Sequence, residues 1–141
     1  MSSRAYPNRP YLGVLAAVRR GGRVLLLQRA IPPDQGKWGL PGGMLELGET
    51  VFQGAMRELA EETQIEAEPV DILTVLDFIE KDEAEKVRYH FALIVVLAEW
   101  RSGEGVPDAD AMGLGWFTPE ELPGMATSAA TERVMRLALG R

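Results

Sequence analysis

Three glutamates in the middle of the chain have the types and the spacing to do chemistry together. At about 100° per residue in a helix, Glu58, Glu61 and Glu62 fall within one arc. Glu58 and Glu62 lie beside Val51 and Ala55 at the edge of an apolar stripe, so their carboxylates are expected to be partly desolvated. Like charges at i,i+3 and i,i+4 destabilise a helix. A divalent cation would turn that repulsion into ligation, and oxygen-only ligands favour magnesium or manganese over zinc.

A simpler interpretation is that these acids form the solvated face of a surface helix, with Arg57 and Glu61 as an i,i+4 ion pair. Gly54 lies on the same arc one turn earlier, and a glycine in the middle of a helix costs about 1 kcal/mol relative to alanine. It is interpreted either as neutral drift on a surface or as room for a ligand beside the acids. The residues alone leave both alternatives open.

The helix that carries the acids is predicted over residues 50–63. Thr50 is the expected N-cap, and Gln53, three residues later, completes a capping box. Apolar residues then recur at helical spacing and predict one buried stripe, made of Val51, Phe52, Ala55, Met56 and Leu59.

Most of the remaining chain is predicted to form strands. Apolar, β-prone segments predict five of them, at residues 11–18, 23–28, 65–79, 87–99 and 115–118. The first two form a hairpin, because the Gly21-Gly22 pair between them supplies a two-residue turn.

Loops and two further helices complete the predicted order of elements. Prolines and glycines predict a loop over residues 30–37 and an irregular segment over residues 38–43. A second helix is expected to begin at Thr118, with Pro119 in its first turn, and a last helix to run over residues 128–139. The class is therefore α/β or α+β, with a mixed sheet.

Composition excludes several kinds of protein. The 141 residues carry a net charge of −6, with no cysteine and one histidine, so disulfides, thiolate zinc sites and sites with two imidazoles are excluded. The first ten residues contain no apolar segment of the kind found in secretory signals, and a cytoplasmic location is expected. The acidic balance argues against nucleic-acid polymers and anionic membranes as partners. A polyanionic small substrate would need local cations.

The residues around the acidic helix resemble the Nudix box. Eight of its nine specified positions match, in the order Gly43, Glu49, Arg57-Glu58-Leu59, Glu61-Glu62 and Ile65. At the one specified position that does not match, Gln64 replaces a glycine just past the helix end, where positive φ is common. The expected cost to the stability of the fold is about 1 kcal/mol. The resemblance covers about residues 10–139, and residues 77–104 look most like a bacterial ADP-ribose pyrophosphatase branch.

This resemblance implies a fold and an activity. The fold would be one Nudix domain over residues 1–141, with an N-terminal arm over residues 1–9. It would be an α/β/α sandwich with a mixed central sheet and the box as a loop-helix-loop. The activity would be hydrolysis of a nucleoside diphosphate linked to another group, with Mg²⁺ or Mn²⁺ as cofactor. Dimers are common in the family, so a homodimer is one expected oligomeric state of this chain. The arm could contribute to its interface.

The resemblance also assigns roles in the box. Glu58 and Glu62 would be the main metal ligands, Glu61 would assist them, and the backbone carbonyl of Gly43 would be a further ligand. Glu58 is also the first choice among the catalytic residues.

Two more catalytic roles lie beside these ligands. Arg57 would orient the glutamates by ion pairing, and Glu49 would hydrogen-bond within the loop or support the metal site. The general base is either a box glutamate or an acid from a later loop, where Asp110 is preferred over Asp108. The alternative for both aspartates is an ordinary solvated turn.

Substrate contacts are expected outside the box. Arg29 resembles a position that contacts phosphate or base, and Trp38 is expected either to line the pocket or to pack beneath the glycine segment. Tyr89 and Phe91 share one face of a strand and either present a ring for base stacking or pack in the core. The expected substrate is ADP-ribose or a similar compound. A nucleoside triphosphate is the alternative, and a nucleotide-sensing module without turnover is the alternative of another class.

Overall fold

The computed structural model describes residues 4–31 and 34–141, and within them seven strands form one sheet against two α-helices. Residues 1–3 of the predicted arm, and Pro32 and Pro33 of the predicted loop, lie outside the described residues. The elements are, in chain order, β1 (Tyr11–Arg20), β2 (Arg23–Arg29), β3 (Trp38–Gly39), β4 (Gly42–Met44), α1 (Val51–Thr63), β5 (Glu66–Lys81), β6 (Val87–Ser102), β7 (Ala111–Phe117), a 3₁₀ turn (Pro119–Glu121) and α2 (Ala129–Leu139).

The sheet is mixed, as the sequence predicts. Its order is β3-β2-β1-β6-β5, and β1 and β6 run parallel while the other pairs are antiparallel. Strand β1 pairs with two different strands along one edge. Its first half pairs with β4 at Gly13–Leu15, and its end pairs with β2 through the predicted hairpin. The sheet therefore splits beside β4, where the glycine segment lies.

Two apolar layers hold the helices on opposite faces of the sheet. Val14, Ala16 and Val18 of β1 point towards α1 and pack in one cluster with Leu59. Ala17, between them, points the other way and packs in a second cluster with Val134, Met135 and Ala138 of α2. This alternation follows from the two-residue repeat of a strand, and it gives the predicted α/β/α sandwich. No helix within the described ranges is long and apolar enough to cross a membrane.

Several predicted boundaries are wrong, and strand pairing explains them. The segment over residues 38–43 is expected to be irregular, but it contributes β3, paired with Leu27 and Gln28, and part of β4. Strand β7 begins at Ala111 rather than at residue 115, because it follows β2 along most of its length. The helix expected at Thr118 is a single 3₁₀ turn. Both long strands also extend beyond their predicted ends.

Helix α1 has the predicted start and an unusual end. The Thr50 side chain accepts from the Gln53 N–H at 3.1 Å, and the Gln53 side chain accepts from the Thr50 N–H at 2.9 Å, which is the predicted capping box. At the other end Gln64 adopts φ 60° and ψ 16°, and its N–H donates to the Ala60 carbonyl. The chain therefore leaves the helix as a glycine would, at a conformational cost that glycine avoids.

We expect Gln64→Gly to raise the free energy of unfolding by about 1 kcal/mol, because glycine adopts this left-handed conformation without penalty. Equilibrium urea denaturation measures the change. Gln64→Ala is the matched control, since alanine pays the same conformational cost as glutamine. Equal stability of the glycine and alanine variants would contradict this explanation.

Candidate active site

A shelf of backbone without side chains faces the acids of α1. This shelf is Gly42 and Gly43 of β4. The Gly42 N–H donates to Oε2 of Glu62 at 2.9 Å. A Cβ on Gly43 would stand 2.5 to 2.6 Å from the carboxylate atoms of Glu58, and a Cβ on Gly42 would overlap the carbonyl oxygen of Val14. The Glu58 carboxylate can therefore approach the shelf closely only because residue 43 is a glycine, and the shelf can pack against β1 only because residue 42 is a glycine.

The Arg57 guanidinium ties the acids of the box together. Its Nε donates to Oε2 of Glu49 at 2.5 Å, and its Nη2 donates to Oε1 of the same carboxylate at 3.0 Å, which is a bidentate pair. Its Nη1 donates to Oε1 of Glu58 at 2.8 Å, and Nη2 also donates to the Met44 carbonyl at 3.0 Å. These hydrogen bonds raise the pKa of Arg57 and lower the pKa of Glu49 below its usual range.

Glu61 lies apart from the other acids of the helix. Its side chain is 60% exposed, whereas those of Glu58 and Glu49 are 16% and 14% exposed. Its nearest cation is Nη1 of Arg57 at 3.4 Å, which is the i,i+4 pair expected for a solvated face. The assisting role predicted for Glu61 would therefore require its side chain to turn towards the shelf.

Glu62 is the acid with the most perturbed proton affinity. Burial is the main cause that raises its pKa to about 8, and the charges of Glu58, Asp108 and Glu61 raise it further. The hydrogen bond from Gly42 acts in the opposite direction. A buried carboxyl among other carboxylates holds its proton because burial and the neighbouring negative charges both disfavour the charged form.

The donor set fits a hard divalent cation by chemistry and by charge. Glu58, Glu62 and the Gly43 carbonyl offer oxygen atoms, which magnesium and manganese prefer. Throughout the ranges 4–31 and 34–141, no three histidine, aspartate or glutamate side chains are already gathered closely enough to hold a metal ion. The carboxylates point instead to Arg57 and to the Gly42 N–H, so ligation would exchange some of these hydrogen bonds for metal bonds.

The loop between β6 and β7 brings two aspartates to the same place. The Val106 N–H donates to the Thr63 carbonyl at 2.7 Å, and the Asp108 N–H donates to the Glu62 carbonyl at 3.0 Å. The end of α1 therefore holds this loop through its unpaired carbonyls. Asp108 and Asp110 both line the cavity described next, and the charge of Asp108 is one that raises the pKa of Glu62.

A cavity of about 740 Å³ opens over the shelf. Glu58 and Glu62 line one part of it, and Trp38, Phe78 and Phe91 line the apolar part. This volume is in the range of pockets that bind small organic ligands.

Most of the residues predicted to contact the substrate line the cavity. Arg29, Trp38 and Phe91 line it, and Trp38 also packs edge-on against Phe117 with ring centroids 5.1 Å apart. Tyr89 does not line it, and stacks on Phe91 with centroids 6.4 Å apart. Sequence reasoning missed Phe78.

The register of the sheet explains why Phe78 lines the cavity and why the sequence could not separate Tyr89 from Phe91. Phe78 of β5 lies directly opposite Phe91 of β6, and their ring centroids are 6.3 Å apart. The alternation of side chains along β6 places Tyr89 and Phe91 on one face of the sheet, but it does not determine which of the two lines the cavity. The apolar residues of β5 alone gave a signal for a strand, and only the pairing with β6 identifies Phe78 as part of the cavity.

Comparison with known proteins gives consistent matches. The model of the NUDIX domain matches residues 7–137. The chain is 31% identical over 117 residues to an ADP-ribose pyrophosphatase of Methanocaldococcus jannaschii, covering 83% of this chain and 67% of that protein. It is 36% identical over 105 residues to a MutT-like protein of Streptomyces ambofaciens, covering 74% of this chain and 61% of that protein.

A solved structure agrees over nearly the whole length of both chains. The crystal structure of a MutT NUDIX hydrolase from Burkholderia pseudomallei superposes with a TM-score of 0.78 and 36% sequence identity. The match covers 92% of this chain and 98% of the other. By contrast, the chain spans about three fifths to two thirds of the length of the two curated relatives.

Without metal and with a chelator present, we expect the free energy of unfolding to fall as the pH rises from about 5 to 8. The folded protein holds a proton on Glu62 up to a pKa of about 8, whereas the unfolded chain releases it near 4.5, so raising the pH favours unfolding. Urea denaturation across this pH range should show a decline that is smaller in Glu62→Gln by about 1 to 3 kcal/mol.

Glu120→Gln is the control for this prediction, because Glu120 is an exposed acid and is not among the groups whose charge raises the pKa of Glu62. Its stability should follow the pH as the unsubstituted protein does. Parallel pH curves for the unsubstituted protein and Glu62→Gln would contradict the expected burial of a protonated carboxyl.

Proposed function

The chain belongs to the NUDIX family, and from that premise we propose that it is a pyrophosphohydrolase. It would use a divalent cation to hydrolyse the diphosphate bond of a nucleoside diphosphate linked to another group. One observation carries the proposal: Glu58 and Glu62 lie against the Gly42-Gly43 shelf in the wall of a cavity large enough for a nucleotide. An ordinary solvated helix face would not place its acids against bare backbone.

The residues of the chain divide the work of binding and orientation. Arg57 holds Glu58 and Glu49 in fixed directions through its planar fork. The glycine shelf leaves room beside the carboxylates for a phosphate, because no side chain projects from it. When bound, Mg²⁺ or Mn²⁺ would neutralise phosphate charge and lower the pKa of a water molecule. Glu58, Glu62 and the Gly43 carbonyl are the groups that would hold it, and Glu61 would assist.

The candidates for accepting the proton that the attacking water loses are a box glutamate and two aspartates of the later loop. Asp110 is the predicted general base, and Asp108 joins it because its charge acts on Glu62. Both carboxylates line the cavity. The Asp110 N–H donates to the Asp108 side chain at 3.0 Å, so the two residues belong to one turn.

ADP-ribose or a similar compound is the proposed substrate, with AMP and a sugar phosphate as products. The ADP-ribose pyrophosphatase of Methanocaldococcus jannaschii among the relatives favours it. The aromatic rings of the cavity favour a substrate with a planar base. The MutT-like relative favours a nucleoside triphosphate as the second candidate. A module that binds nucleotides without turnover is the third, and the intact set of box acids disfavours it.

We further propose a cytoplasmic protein that acts on small molecules rather than nucleic-acid polymers, in keeping with its net charge of −6. Strand β5 is one edge of the sheet within the described ranges, and it exposes Ile72, Val75 and Ile79. A homodimer stays a prediction, and light scattering coupled to gel filtration would test it.

We expect the protein to release AMP from ADP-ribose when Mg²⁺ is present and not when a chelator replaces it. Glu58→Gln should lower kcat by about 100-fold or more, because the variant loses a carboxylate that would hold the cation. Chromatography of the products measures both effects. Glu120→Gln removes an exposed acid far from the shelf and should retain full activity. Robust activity of Glu58→Gln would overturn the site assignment.

We expect Gly43→Ala to lower kcat by about 10-fold or more while the protein stays folded. The new Cβ would stand 2.5 to 2.6 Å from the Glu58 carboxylate, so that side chain must move from the position Arg57 gives it. Gly22→Ala is the matched control, because a Cβ there meets no atom within 4 Å and Gly22 does not line the cavity. Steady-state kinetics of both variants measure kcat, and circular dichroism checks that both are folded. An equal loss of activity in the two variants would contradict the explanation.

A further inference from the structure

The first described residues of the chain fold back along the sheet and are held there by Tyr6. The Tyr6 N–H donates to the Arg88 carbonyl at 2.7 Å, and its hydroxyl donates to Oδ2 of Asp82 at 2.9 Å. The Lys86 ammonium lies 5.1 Å from the centre of the Tyr6 ring. These contacts hold residues 4–9, the described part of the N-terminal arm, against the turn between β5 and β6.

The arm places two guanidinium groups on one aromatic ring. The Cζ atoms of Arg4 and Arg9 lie 5.6 Å and 4.8 Å from the centre of the Tyr11 ring. Within the part of the chain that the structure describes, neither side chain has a carboxylate within 4 Å, although the protein is acidic overall. Arg88 on the neighbouring strand, by contrast, pairs with Glu80 at 3.5 Å. The two arm cations are thus held in place by an aromatic ring and not by an ion pair.

The Tyr11 ring lies next to both arm arginines and next to an aromatic ring of the cavity wall. Its ring centroid lies 6.0 Å from that of Phe91, which lines the cavity beside Phe78. Along β1 the next residue on the same face is Gly13, where a Cβ would stand 2.8 Å from Leu93 and 3.2 Å from the Gly43 carbonyl. At about 3.3 Å per strand residue, Tyr11 is about 7 Å further along the strand from this point.

We propose that Arg4 and Arg9 form an anion-binding subsite on Tyr11, beside the Phe91 ring of the cavity wall. It would accept a second phosphate on the ribose of a nucleotide whose 5′-phosphate lies at the shelf. Guanidinium groups bind phosphate through paired hydrogen bonds, and cations without a carboxylate partner give up no ion pair to do so. The proposal rests on the proposed function, because the shelf must hold the first phosphate.

The subsite is tested by comparing AMP with adenosine 2′,5′-bisphosphate and adenosine 3′,5′-bisphosphate in calorimetric titrations with Mg²⁺ present. We expect at least one bisphosphate to bind the unsubstituted protein about 10-fold more tightly than AMP, because it adds charge-assisted hydrogen bonds. In the double variant Arg4→Gln with Arg9→Gln this preference should fall to about 2-fold or less. The pair Arg4→Lys with Arg9→Lys should retain part of it, since the charge stays.

Arg101→Gln is the control for net charge, because it removes one exposed cation that pairs with Glu68 near the opposite end of β6. Its preference for the bisphosphate should be that of the unsubstituted protein. Equal affinities for AMP and both bisphosphates, or an equal preference in the arm variant, would overturn the subsite.

Hydrolysis of ADP-ribose by the unsubstituted protein separates this proposal from the proposed function. Turnover of ADP-ribose without any preference for a bisphosphate would contradict the subsite alone. A preference that depends on Arg4 and Arg9, without turnover of ADP-ribose or a nucleoside triphosphate, would contradict the proposed function and leave the subsite supported.

Discussion

The hydrogen bonds of Arg57 are the contacts on which the candidate site depends. Its guanidinium reaches a carboxylate from the loop before α1, a carboxylate from α1 itself and a carbonyl of β4. One planar cation thereby fixes three pieces of chain relative to each other. Because the acids it holds are largely buried, each would otherwise pay a desolvation cost without a partner. The box helix, its leading loop and the glycine shelf are one unit for that reason.

This unit carries more negative charge than its own cation can balance. Arg57 forms ion pairs with Glu49 and Glu58, while Glu62 accepts a hydrogen bond from the Gly42 N–H and has a raised pKa. The imbalance suits a site for a cation and a polyanion, since phosphate cannot approach bare carboxylates closely.

The architecture supports this arrangement through the division of β1. Its first half pairs with β4 and its end pairs with β2, so an opening forms where the two partners diverge. The shelf lies at that opening, and α1 brings its acids there because Val14, Ala16 and Val18 fix the helix on this face of the sheet. The loop that carries Asp108 then attaches to the end of the same helix. The glycines of the shelf, the acids of α1 and the aspartates of the later loop are distant in sequence and meet at this opening.

The sequence by itself determined the local features. The box helix with its cap, the arc of acids, the hairpin at Gly21-Gly22 and the mixed sheet follow from periodicity and turn chemistry, which act over a few residues. Tertiary structure alone decided that β3 and β4 form, that Phe78 faces Phe91 and that Asp108 acts on Glu62. These outcomes depend on strand register and loop docking between distant segments, and no local pattern of residue types encodes such pairings.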